Sequence, residues 1–268
     1  MARLRVDVFS DVLGMNTSLT ILMPWSTTTQ IGQTDRAVEG DPPVLYLLHG
    51  LSDDDTIWTR RTSLERYVAP LGLAVVMPQV QRSFYTDQVH GLRYWTFLSE
   101  ELPDMVARLV RVSAKREDTF VAGLSMGGYG AFKWALSHPD RFAAAASLSG
   151  ALHLGSRDGD PTWAGLAEAT FGRRPISGTP NDVLWLLDQA LASGGPVPAL
   201  YVACGEDDPL LRDNHAFVAA AEGRVPSLTT DFGPGIHDWA YWDRTIQDVL
   251  AWLPLASAGG AVGAVGAR

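Results

Sequence analysis

A serine hydroxyl attacks a carbonyl at neutral pH only when a base takes its proton, and the base acts best when a carboxylate orients it. One serine in this chain sits where that chemistry is built: Gly123-Leu124-Ser125-Met126-Gly127. The apolar run Thr119-Phe120-Val121-Ala122 before it reads as a buried strand, and Gly128 to Leu136 after it reads as a helix. A G-x-S-x-G pattern between strand and helix is a nucleophile elbow, a strained turn that lifts the hydroxyl above the sheet. Side chains in place of the flanking glycines would strike the neighbouring strand and helix. Gly128 and Gly130 extend that logic along the helix.

Chains with such an elbow take the carboxylate, then the histidine, from loops after later strands. Strand 199–204 is followed by Gly205-Glu206-Asp207-Asp208-Pro209, and strand 228–232 by Gly233-Pro234-Gly235-Ile236-His237-Asp238. His237 is the one histidine of six in the right order and context. Glu206, Asp207 and Asp208 are adjacent and only one can face the histidine; spacing alone leaves the choice open. The oxyanion needs backbone N–H donors: Met126, directly after the nucleophile, and Leu51, in His49-Gly50-Leu51-Ser52 after strand 44–48. Any single aromatic is by default a packing residue. Taken together, the aromatics near residues 84–95 could wall an acyl or alcohol pocket, with Trp58, Tyr85, Trp95 and His153 as its expected lining.

Other chemistries find little support. CxxC, HExxH and phosphate-loop patterns are missing, and the elbow lacks dinucleotide-binding spacing. Asp53-Asp54-Asp55 reads as a solvated acidic loop, since calcium needs more oxygens than a bare triplet offers. No metal and no cofactor is expected. The net charge of −9, with no basic cluster, argues against nucleic acid as a partner. The lone cysteine, Cys204, cannot form an intrachain disulfide and reads as a small buried hydrophobe. No apolar run is long enough to span a bilayer, and the N-terminus lacks a signal-peptide core, so the expected location is cytoplasmic. A homo-oligomer stays open.

These residues need a scaffold. The 268 residues suit one α/β domain. Residues 4–9 and 18–23 read as paired strands around a turn at 14–16, and 27–43 as a polar loop. Strands follow at 44–48 and 73–77, with a helix at 62–69 between them. An irregular aromatic stretch at 79–95 leads into an amphipathic helix at 97–112, with Pro103 near its start. Residues 142–150 have the placement of a strand, although their alanines would also suit a helix. Helices are expected at 163–171, 180–192, 212–222 and 239–253. The alternation predicts a mostly parallel sheet covered on both faces, with an antiparallel N-terminal edge. Residues 1–255 form that single domain, 151–195 is the natural place for a cap or lid insertion, and the Gly/Ala tail 256–268 has little to bury.

The motifs Leu47-Leu48-His49-Gly50-Leu51-Ser52, Gly123 to Gly130, Cys204-Gly205-Glu206-Asp207-Asp208 and His237-Asp238-Trp239-Ala240-Tyr241-Trp242 together resemble the esterase D group. Within it the chain looks most like the bacterial tributyrin esterases, a likeness that runs from about residue 4 to 254. The resemblance implies an α/β-hydrolase fold and a serine carboxylesterase acting on short-chain acyl esters through an acyl-enzyme. It matches the family's acid to Asp208 and its oxyanion donors to Leu51 and Met126. Transfer of the acyl group, or thioester hydrolysis of the S-formylglutathione hydrolase kind, would use the same Ser125, Asp208 and His237.

Overall fold

Continuous apolar runs such as Val44-Leu45-Tyr46-Leu47-Leu48 suit strands buried on both faces, and that is how they are used. A computed structural model describes residues 1–25, 27, 29, 31, 32, 36, 39–158 and 163–255. Its strands are β1 (Ala2–Ser10), β2 (Met15–Met23), β3 (Val44–Leu48), β4 (Ala74–Pro78), β5 (Thr119–Leu124), β6 (Ala144–Leu148), β7 (Ala199–Gly205) and β8 (Leu228–Gly233). They form one eight-stranded sheet in the order β1-β2-β4-β3-β5-β6-β7-β8. β1 and β2 pair antiparallel, as do β2 and β4, and the other pairings are parallel.

The helices are α1 (Ile57–Arg61), α2 (Leu64–Val68), α3 (Tyr94–Thr96), α4 (Leu102–Leu109), α5 (Met126–Ser137), α6 (Ala164–Phe171), α7 (Val183–Ala192), α8 (Leu211–Ala221) and α9 (Trp239–Trp252). Side chains alternate across each strand, so the sheet has two cores. Val44, Tyr46 and Leu48 pack with Val106 of α4, Phe132 of α5, Leu187 of α7 and Phe217 of α8. Leu45 and Leu47 pack on the other face with Trp58 of α1, Val68 of α2 and Ile246 of α9. This is the mostly parallel, doubly covered sheet with an antiparallel edge expected from the alternation, and it is the α/β-hydrolase fold that the motif resemblance implies.

From β3 the chain moves outward to β4 and then returns to β5 on β3's other side. Ligands of open α/β sheets bind beyond the strand C-termini at such a reversal. Both the β3 loop carrying Leu51 and the β5 elbow carrying Ser125 open there.

Several element boundaries differ from the sequence reading. The segment expected as one helix over 97–112 is a wide π-type turn over Phe97–Glu101, continuing from α3, and then α4, which ends at Leu109. Pro103 has no N–H to give the carbonyl of Ser99 four residues back. That carbonyl accepts from Arg141 Nη1 at 2.5 Å instead. The helix placed at 62–69 begins only at Leu64, after α1, which went unread. The alanine-rich segment is the strand β6, hydrogen-bonded to β5 and β7. The solvated reading of the acidic triplet fails at Asp55. That residue is buried and accepts from Arg5, Ser18 and Thr20, tying the β1–β2 edge to the domain. Residues 149–198, between β6 and β7, carry α6 and α7. The expected tail 256–268 lies outside the described residues, as does part of the loop 27–43.

Candidate active site

Ser125 closes β5 and opens α5 with φ 54° and ψ −115°. That left-handed region is costly for a side-chain-bearing residue, and surrounding bonds hold it there. Its N–H donates to Leu148 O at 2.9 Å, and its carbonyl accepts from Tyr129 N–H at 3.1 Å and Ala151 N–H at 3.2 Å. The turn is tight enough that a Cβ on Gly127 would lie 2.5 Å from Leu48 O, and one on Gly123 would collide with Gly127. The hydroxyl is left at the mouth of the sheet.

His237 reaches it. The imidazole Nε2 lies 3.0 Å from Ser125 Oγ, and Nδ1 lies 2.8 Å from Asp208 Oδ2. The loops bearing base and acid are stitched together, Glu206 N–H donating to Gly233 O at 2.9 Å and Asp207 N–H to Gly235 O at 3.0 Å. Asp238 then caps α9, accepting from Tyr241 N–H at 2.9 Å. His237 therefore stands just ahead of a fixed helix start. Trp242, one turn on, places its ring edge-to-face with the imidazole, centroids 4.9 Å apart.

The choice between neighbouring aspartates is geometric. Asp208 is buried and bonded to His237, whereas Asp207 is exposed. Burial alone raises the Asp208 carboxyl. Hydrogen bonds from His237, Leu210 N–H and Ser149 outweigh it and hold the group below the usual aspartate value. The acid thus stays ionised and can stabilise an imidazolium.

Met126 directly follows the nucleophile, and Leu51 lies in the loop after β3. Met126 is the first residue of α5, so its N–H has no partner within the helix. Among the described residues no acceptor pairs with the N–H of Leu51 either. The β3 loop is held by His49, a residue noted in sequence only as part of a turn. Its buried ring takes one tautomer, with Nδ1–H donating to Gly50 O at 2.7 Å and Nε2 accepting from Val80 N–H at 3.1 Å. Tyr85 OH donates to His49 O at 2.8 Å. Burial lowers the His49 pKa, so this ring is neutral in the fold.

A pH dependence follows. Below about pH 6.5 the unfolded chain binds a proton at this histidine that the folded chain refuses. The stabilisation is complete above that value and declines as pH falls below it. His49→Gln should flatten part of this acid-side decline in urea unfolding midpoints measured from pH 7.5 to 5. It should also lower kcat for ester hydrolysis by about tenfold to a hundredfold, because the Leu51 donor loses its anchor.

The expected pocket lining needs correction. Trp58 and Tyr85 are each 0 % exposed and belong to the two cores. Trp58 Nε1 donates to Leu48 O, and Tyr85 braces His49, so both support the site from behind. Large aromatics fill buried volume well, and both found a hydrogen-bond partner inside. Trp95 stacks on His138 and lines a separate cavity of about 370 Å³ with Lys133, Thr86 and Asn181. His153 is half-buried at the start of a short turn, near Asp213. Among the described residues no group of three or more potential ligands could hold a metal.

Comparison with known proteins follows the same lines. A family model described as "Putative esterase" matches residues 22–253. An acetyl esterase of Caldicellulosiruptor saccharolyticus is 28% identical over 96% of this chain and 100% of its own length. Among solved structures, the substrate-bound fluorophosphonate-binding serine hydrolase F of Staphylococcus aureus is 36% identical, with a TM-score of 0.84. The match covers 94% of this chain and 98% of that one. An S-formylglutathione hydrolase apoenzyme, also from Staphylococcus aureus, is 37% identical with a TM-score of 0.81 over the same shares.

Proposed function

This chain belongs to the esterase family and is a carboxylic ester hydrolase, and from that premise we propose that Ser125 is its nucleophile, His237 its general base and Asp208 the carboxylate that orients the base. The observation that carries this reading is the unbroken line of hydrogen bonds Asp208–His237–Ser125, at 2.8 and 3.0 Å. His237 Nε2 takes the serine proton as Oγ attacks the ester carbonyl. The N–H groups of Leu51 and Met126 face the developing oxyanion. His237 then protonates the leaving alcohol, the acyl-enzyme forms, and water activated by the same imidazole releases the acid.

The proposed substrates are small esters with short acyl chains. Support comes from the motif likeness to tributyrin esterases of the esterase D group, and from the similarity to an acetyl esterase along that protein's whole length. The segment between β6 and β7 is the proposed cap that sets acyl length. A small-molecule ester is the proposed partner, a homo-oligomer stays open, and the cytoplasm is the proposed location. No described helix is long and apolar enough to cross a membrane. A thioester substrate is the second reading, favoured by the likeness to the S-formylglutathione hydrolase.

The test is a panel of p-nitrophenyl esters from acetate to decanoate, one hydroxycinnamate ester and S-formylglutathione. The expected result is highest kcat/KM at two to four acyl carbons, falling at least about tenfold by eight, as a short pocket rejects added methylenes. Dominant turnover of S-formylglutathione would move the assignment to the second reading.

A further inference from the structure

Lys133 is a buried cation that the reaction scheme leaves unused. It stands on α5, the helix that Ser125 opens, and is 2 % exposed. Its Nζ donates to Thr86 Oγ1 at 2.7 Å, to Asn181 Oδ1 at 2.8 Å and to Tyr85 O at 3.0 Å. The amine also lies 4.6 Å from the centre of the Trp95 ring. Its N–H groups each meet an acceptor, so the head group is fully used. Burial draws its pKa down to about 7 against the pull of the Asp87 carboxylate, and below that value every proton these contacts need is in place.

What the amine holds is a strained turn. Phe84 and Tyr85 both have φ 49°. Successive side-chain-bearing residues in the left-handed region are costly, and they persist only where the surroundings fix them. The turn sends its rings in different directions. Phe84 meets Trp163 and Phe171, at opposite ends of α6, with centroids 5.7 and 5.8 Å away. Tyr85 lies against α5, where a Cβ on Gly130 would collide with its ring, and its OH reaches His49 O at 2.8 Å. Lys133 grips the Tyr85 carbonyl and the hydroxyl of Thr86, which donates in turn to Phe84 O at 2.9 Å. Asn181, just ahead of α7, is gripped by α5 at both ends. Lys133 holds its side chain, and Tyr129 OH donates to its carbonyl at 2.9 Å.

We propose that Lys133 is a positioning residue that ties the β3 loop carrying Leu51, and the chain entering α7, to the nucleophile's own helix. This rests on the reading of Ser125 and Leu51 above and extends it. The route runs from Lys133 Nζ to Tyr85 O, from Tyr85 OH to His49 O, and along the backbone from His49 to Leu51. The serine and this oxyanion donor follow different strands, β5 and β3. Their separation is therefore set by what spans the two, and Lys133 spans them through the 84–86 turn.

Lys133→Met keeps the reach and bulk of the side chain and deletes its donors. With p-nitrophenyl acetate, kcat should fall about tenfold with KM within about twofold of wild type, because a displaced oxyanion donor is felt in the transition state. Inhibition by an alkyl boronic acid, which forms a tetrahedral adduct on the serine, should weaken by a similar factor. Lys133→Gln keeps amide donors on a shorter arm and should restore part of the rate. It also serves as the test where the methionine form does not fold. Tyr85→Phe keeps the ring on Gly130 and cuts the route at His49 O. It should lower kcat as well, and the Lys133→Met/Tyr85→Phe double variant should lose less than the product of the single losses.

A lysine that only supports the fold would lower the urea midpoint and leave kcat, boronate affinity and the coupling to Tyr85 unmoved. A folded Lys133 variant with wild-type kcat and boronate affinity, or losses that multiply in the double variant, would overturn the proposal and leave Ser125 standing as nucleophile. Failure of the wild type to react with a fluorophosphonate at Ser125 would overturn the reading of the site, and this proposal with it.

Discussion

Ser125→Ala lowers kcat/KM for p-nitrophenyl acetate by about 10⁴-fold or more and leaves the protein folded. The size follows from the loss of the covalent route. Removing the serine of a serine triad costs nearly as much as removing the whole triad, because the three residues act as one unit. On the proposed reading, the remaining rate comes from the Leu51 and Met126 N–H groups acting on water attack. Folding is spared because the hydroxyl holds nothing up. The Ser125 bonds that support the elbow are all made by its backbone: N–H to Leu148 O, and carbonyl from Tyr129 and Ala151. Circular dichroism and a urea midpoint within about 0.5 kcal/mol of wild type check the fold while steady-state kinetics check the rate. A variant that retains a tenth of wild-type activity would place the nucleophile elsewhere.

The second large effect separates two adjacent carboxylates. Asp208→Asn should lower kcat by about 10³- to 10⁴-fold, whereas Asp207→Asn should change it less than about twofold. An asparagine at 208 can present its amide to Nδ1 and favour the wrong tautomer, leaving His237 without a free lone pair toward Ser125. At 207 the side chain is exposed and only its backbone N–H is used, by Gly235 O at 3.0 Å. The same geometry carries a stability term. Asp208 titrates below its unfolded value, so its contribution is present above about pH 4 and is lost as pH falls further. Asp208→Asn should therefore be less sensitive to acid than wild type below that pH. Equal losses at 207 and 208 would contradict the assignment of the acid.

Much of this site could be read before any coordinates, because its signals are local. A strained serine needs glycines around it, and a strand before and a helix after, all within one short run from Thr119 to Leu136. His237 was legible by chain order and by the loop that precedes α9. What resisted reading depends on contacts distant in sequence. Nothing in Trp58 or Tyr85 themselves distinguishes a pocket wall from a brace behind one; that is decided by Leu48 O and His49 O, which accept their polar ends. Asp55 looked solvated beside two other acids until Arg5, Ser18 and Thr20 of the N-terminal edge closed on it. Ser149 carried no signal at all, since serine before glycine at a strand end is an ordinary turn. Its positive φ and the Trp242 indole N–H on its hydroxyl exist only in the fold.

The fold divides the same way. Continuous apolar runs gave the central strands nearly to the residue at Val44–Leu48. The alanines of β6 were ambiguous because small side chains suit either element, and pairing to β5 and β7 resolved them. The break in the helix before β5 follows from Pro103, yet only the acceptance of Arg141 by Ser99 O explains why the chain opens into a wide turn there.

The central claim is that Ser125 is activated by His237. Reaction with a fluorophosphonate probe, followed by peptide mass spectrometry, tests it most directly, because such probes form a stable bond only with an activated nucleophile. The account predicts one adduct, on Ser125, forming at least about 10²-fold more slowly in His237→Ala, as expected when a general base is removed, and absent in Ser125→Ala. An adduct on another residue, or none on a preparation that still hydrolyses p-nitrophenyl acetate, would contradict it.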